Sequence, residues 1–70
     1  MRYLVNLIYD PEYKGYVADV PQFPGCMSEG KTVEKALENV KEAIRAYLAA
    51  GGEEAALSTP SPVLTAQVEL

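Results

Sequence analysis

The residues Gly25-Cys26-Met27-Ser28-Glu29-Gly30-Lys31-Thr32 have the spacing G-x-x-x-x-G-K-T. That is the spacing of a loop whose backbone amides cradle phosphates while its lysine reaches the outer ones. A phosphate loop needs an open, amide-presenting stretch between its glycines, and it needs a second strand carrying a magnesium-binding acid in a larger parallel sheet. Here Cys26, Met27 and Ser28 are better used as a short strand, and Glu29 sets a carboxylate beside the phosphates. Motifs this short arise often by chance, so the match is read as coincidental. The carboxylates Asp10, Glu12, Asp19, Glu29 and Glu34 are numerous enough for a two-carboxylate or metal site. None falls inside an apolar face, however, and solvated turn ends are the plainer reading. Cys26 has no histidine anywhere in the chain to activate it, so it is read as packing rather than as a nucleophile.

The elements that position these residues follow from periodicity. Residues 2–9 alternate, with Tyr3, Val5, Leu7 and Tyr9 on one face of a strand and Leu4, Asn6 and Ile8 on the other. The second face is more apolar than a solvent face needs to be. Pro11 and Gly15 bound a turn, and residues 16–20 form a second strand of the same hairpin. Pro21 and Pro24 remove two backbone donors, Gly25 permits a tight reversal, and Cys26 to Ser28 form a third short strand closed by Glu29 and Gly30. Thr32 is placed to cap a helix in which Val33, Ala36, Leu37, Val40, Ala43, Ile44, Tyr47 and Leu48 make one apolar stripe. Gly51 and Gly52 end that helix. Residues 58–62 are extended by their prolines, and residues 63–70 alternate as a fourth strand. The order β-β-β-α-β predicts an α+β fold: a four-stranded sheet, order 3-2-1-4, with the helix packed on one face. A right-handed crossover through the helix would make strand 4 parallel to strand 1.

Size and charge narrow the function. Seventy residues make one small domain, expected to bury only about 60% of the surface its unfolded chain exposes. A single cysteine excludes an internal disulfide, which leaves oligomerisation as the support a small core needs. Ten acidic against six basic residues give a net charge of −4, which repels nucleic acid and suits a basic protein partner. The apolar run at residues 3–9 is too short and too polar for a signal peptide core or a membrane span. The chain is read as cytoplasmic.

Gly15-Tyr16, Ala18, Pro21, Pro24-Gly25-Cys26, Ser28, Gly30, Thr32, Glu34, Ala36-Leu37, Asn39 and Glu42-Ala43 stand at the spacing of the HicB antitoxin family, which this chain resembles over about two thirds of its length. Phe23 replaces the family's usual leucine, and Lys31 its usual aspartate, the change that creates the phosphate-loop spacing. The resemblance implies a partial ribonuclease H-like β-β-β-α-β domain that neutralises HicA toxins, small basic ribonucleases, by covering their active site. Many members carry a further C-terminal DNA-binding domain. This chain is read as a single domain, residues 1–70, without one.

The expectation is therefore a non-catalytic, antitoxin-like protein-binding domain of a type II toxin–antitoxin system, with a HicA-type toxin as partner and no cofactor. The rival readings are an orphan HicB-like oligomeric binding protein without a toxin, a minimal ribonuclease H-like nuclease, and a nucleotide binder through residues 25–32. The candidate partner contacts are Asp10, Tyr13, Asp19 and Glu29, at strand ends and turns. The candidate surfaces of a homodimer or higher oligomer are Leu4, Ile8, Val17 and Leu70.

Overall fold

The computed structural model describes residues 2–52 and 64–70. Five elements follow in chain order: β1 (Arg2–Asp10), β2 (Gly15–Asp19), β3 (Met27–Gly30), α1 (Val33–Ala49) and β4 (Leu64–Glu69). The strands form one sheet in the order β3-β2-β1-β4, as the periodicity predicts.

All three strand pairings are antiparallel, which corrects the expected parallel β4. Leu64 at the start of β4 lies opposite Leu7, and Glu69 at its end lies opposite Arg2. The reason is reach. The eleven residues 53–63 can span up to about 36 Å when extended. That exceeds the ~30 Å length of a nine-residue strand such as β1, so the chain can join the sheet at either end and is not bound to the crossover geometry.

The stretch between β2 and β3 folds as two consecutive turns. The Phe23 amide donates to the Val20 carbonyl and the Cys26 amide to the Phe23 carbonyl, each at 3.0 Å. Pro21 and Pro24 stand at the second position of each turn, where a fixed φ is wanted. Gly25 stands at the third position of the second turn with φ +79°, the arrangement of a type II turn. The double turn carries Val20, Phe23 and Cys26 into the core. There the Phe23 ring stacks on Tyr47 at 4.9 Å and tilts against Tyr3 at 5.3 Å.

Helix α1 begins where Thr32, extended at φ −124° and ψ 162°, accepts the Lys35 amide through its side chain, an N-cap that satisfies one of the orphan donors of the first turn. At the other end Gly51, at φ +81°, donates to the Leu48 carbonyl at 3.0 Å, and the Gly52 amide donates to the Tyr47 carbonyl at 2.9 Å. These are the two reversed bonds of a Schellman motif. The stripe predicted for this helix faces the sheet. Ala36, Val40 and Ile44 are fully buried, Val33, Leu37, Ala43 and Tyr47 pack at the margin of the core, and Leu48 at the far end is exposed. The helix lies over β3 and β2 more than over β1. Asn39 fixes its distance by donating to the Glu29 carbonyl at 2.7 Å.

Candidate functional site

Directly opposed residues in a sheet share a face, so the registers sort the side chains. Leu7 with Ala18, Val5 with Ala66, and Tyr3 with Val68 share the face on which α1 packs and belong to the core or its margin. Among the described residues no helix lies on the other face. Its rows are Ile8, Val17 and Glu29; then Thr65, Asn6, Asp19 and Met27; then Leu4 and Gln67; then Arg2 and Glu69. Leu4, Ile8 and Val17 are half-buried there, and Met27 is 53% exposed. Val17, Met27 and Glu29, with Ser28, line an open cavity of about 500 Å3.

Asn6 is the exception on this face. It sits mid-strand on β1, 3% exposed, and its Oδ1 accepts the Thr65 hydroxyl at 3.0 Å. Its Nδ2 has no hydrogen-bond partner among the described residues. Buried polar atoms are nearly always paired, so an orphaned amide donor asks for an explanation. Opposite it, Asp19 is partly buried, and desolvation raises its carboxyl above the ordinary aspartate value. The sequence placed Asn6 on this face and did not single it out. The signal was an amide between Leu4 and Ile8 on a strand face that otherwise reads as apolar.

The expected contacts divide. Asp19 and Glu29 lie on this face together with Leu4, Ile8 and Val17, so two of the four partner candidates and three of the four oligomer candidates occupy one surface. Asp10 is elsewhere: its carboxylate accepts the Glu12 and Tyr13 amides at 2.9 and 3.3 Å and closes the β1–β2 turn. Tyr13 is half-buried beside that turn, its ring under the Lys31 ammonium at 3.7 Å. Leu70 packs at the margin of the helix-side core.

The phosphate-loop spacing has a structural use. Met27–Gly30 is strand β3, its backbone paired with β2. Lys31 donates to the Tyr13 carbonyl, and Thr32 caps the helix. Cys26 is buried, and desolvation, followed by the nearby Asp19 charge, raises its thiol pKa, which keeps it protonated and a poor nucleophile. No helix among the described residues is long and apolar enough to cross a membrane.

Comparison with known proteins agrees with this architecture. A family model described as the HicB_like antitoxin of bacterial toxin-antitoxin system matches residues 3–69. A UPF0150 protein of Helicobacter pylori is 49% identical over 45 residues, covering 64% of this chain and 62% of that protein. A UPF0150 protein of Thermoplasma acidophilum is 52% identical over 48 residues, covering 69% and 68%. One from Thermotoga maritima is 41% identical over 46 residues, covering 66% and 61%. The chain thus matches about three fifths to two thirds of the length of these relatives.

Proposed function

The chain belongs to the HicB-like antitoxin family of bacterial toxin–antitoxin systems, and from that premise we propose that it acts by binding rather than by catalysis. It neutralises a small basic HicA-type mRNA ribonuclease in the cytoplasm by covering the toxin's active site. The observation that carries this reading is the family match across residues 3–69. The chain's charge of −4 supports it, because an acidic protein meets a basic ribonuclease quickly and repels the ribonuclease's substrate.

The chain also self-associates, as at least a homodimer. Strand β4 lies at the end of the sheet order, and an edge strand offers backbone donors and acceptors to a second copy. That edge leaves the helix-free face open to the toxin.

The test is co-expression with a small basic HicA-type toxin. The expected result is a purified complex in which RNA cleavage by the toxin is abolished, with growth restored. Cleavage of RNA by the chain alone, or a toxin that stays fully active in excess chain, would overturn the reading. Sedimentation equilibrium of the isolated chain at micromolar concentration should give twice the 7.6 kDa chain mass or more, and a monomer would remove the self-association.

A further inference from the structure

We propose that the helix-free face of the sheet is the surface that docks the basic toxin, and that Asn6 and Asp19 at its centre receive a lysine or arginine side chain together with a backbone carbonyl of that partner. This rests on the antitoxin reading above.

Two features of the face call for complementary chemistry. Asn6 Nδ2 is a buried donor without an acceptor among the described residues. Asp19 and Glu29 are carboxylates in adjoining rows, and neither has an ion-pair partner among the described residues. A partner carbonyl supplies the acceptor, and a partner cation supplies the charge. Around them Leu4, Ile8, Val17 and Met27 offer apolar surface on which the methylenes of a lysine or arginine can lie while its charged head reaches a carboxylate. Met27 adds an adaptable side chain at the rim.

The isolated chain gains one cross-strand hydrogen bond from the amide, the Thr65 hydroxyl donating to Oδ1, and leaves the Nδ2 donor unpaired among the described residues. A leucine at position 6 would match Leu4 and Ile8 and would bury no unpaired group. A residue that breaks the local apolar pattern and leaves a buried donor unpaired is a candidate for a functional position.

The charge also selects the occupant. A second copy would bring its own Asp19 and Glu29 to the same surface. Arg2, the cation in these rows, lies at the far end and is paired with Glu69 at 3.2 Å. Nucleic acid would set phosphates against the same carboxylates. A basic protein surface is the occupant that satisfies both the donor and the acids.

The test titrates a HicA-type toxin, inactivated at its catalytic residue, into the wild-type chain and into Asn6→Leu, Asp19→Asn, Asp19→Lys and Glu38→Gln, with the melting temperature of each isolated chain recorded alongside. Asn6→Leu should raise the melting temperature while weakening toxin binding about tenfold or more, the size expected at a central contact. Asp19→Asn should weaken binding less, and Asp19→Lys should weaken it most. Glu38→Gln, on the exposed side of α1, should leave it unchanged. If the toxin binds every variant as it binds the wild type, the docking face is elsewhere and the antitoxin reading stands. If the toxin does not bind the wild-type chain, the antitoxin reading falls and takes this proposal with it. Variants that change the sedimentation mass of the isolated chain but not its affinity for toxin would make the face a contact between copies and overturn the proposal. A fall in melting temperature for Asn6→Leu would show that the amide is structural and remove it from the site.

Discussion

The two faces of the sheet are made by the same strands and differ by one residue in phase. On β1, Tyr3, Val5 and Leu7 point to the helix side of the sheet and are all buried, whereas Leu4 and Ile8 point the other way and are half-buried around Asn6. The helix-side face is apolar apart from Ser28, which lies on β3 opposite Ala18. The bare face carries comparable aliphatic residues but interrupts them with Asn6, Asp19 and Thr65. Apolar content alone therefore does not distinguish them. The helix-side face buries its apolar residues in the core, whereas on the other face Leu4, Ile8 and Val17 stay half-buried and Asn6 Nδ2 is unpaired among the described residues.

The largest effect should come from emptying the covered face. Ile44 is fully buried mid-stripe, so Ile44→Ala should destabilise by about 2–5 kcal/mol through lost transfer energy and a cavity. Leu37→Ala should cost less, because Leu37 packs at the margin of the core. Ile8→Ala on the bare face should also cost less than Ile44→Ala. Chemical denaturation of the three variants checks the order. If Ile8→Ala matched Ile44→Ala, the bare face would already be covered in solution, and the contrast between the faces would fail.

A second effect tests how tightly α1 sits on the sheet. A Cβ added at Gly30 would lie 2.4 Å from the Ala36 nitrogen and 2.9 Å from the Ala36 Cα. These are backbone atoms that cannot rotate away. Gly30→Ala should thus destabilise by about 1–3 kcal/mol by forcing the helix off the β3 edge. At Gly25 an added Cβ meets nothing within 4 Å, and only its positive φ of +79° opposes the change. Gly25→Ala should cost about 1–2 kcal/mol, the strain of a left-handed backbone. Toxin affinity sharpens the point: displacing the helix should leave the rows of the bare face in register, so Gly30→Ala should lower the melting temperature and spare binding.

Much of this architecture was legible in the sequence because local rules and tertiary structure agree. Thr32 as cap, Gly51 as terminator and the stripe through Val40 and Ile44 are each set by residues within a few positions of the effect. Pro21, Pro24 and Gly25 announced turns, although their role in carrying Phe23 and Cys26 into the core depends on partners as distant as Tyr3 and Tyr47. The direction of β4 was not legible, since a connection as long as residues 53–63 does not encode where it rejoins the sheet. The candidate site was half legible. Alternation placed Leu4, Asn6 and Ile8 together, and Asp19 and Glu29 stood out as acids. That these residues share one surface depends on pairing register, which single-strand patterns do not fix. Asp10 illustrates the converse: an acid beside a turn read as a contact candidate, when its carboxylate closes the turn itself.

The smallest expected effect is a pH dependence at Asp19. Burial raises this carboxyl above the ordinary value of 3.8, so the folded chain holds the proton more tightly than the unfolded chain does. The stability that Asp19 contributes is therefore present in full below the unfolded-state value and is lost as pH rises through the raised one. At neutral pH the group is charged and desolvated, and Asp19→Asn, which keeps the shape and removes the charge, should melt at a higher temperature than the wild type. As pH falls the difference should shrink, and below about 3.8, the ordinary aspartate value, it should vanish because both side chains are then neutral. Melting temperatures of the two chains from acid to neutral pH give this difference directly, with the other carboxylates cancelling between them. Bound toxin should reverse its sign at neutral pH, since a cation beside Asp19 favours the charged form. A variant less stable than wild type at neutral pH in the isolated chain would mean that the carboxylate already has a favourable partner, and that the bare face holds no unpaired charge for a ligand to meet.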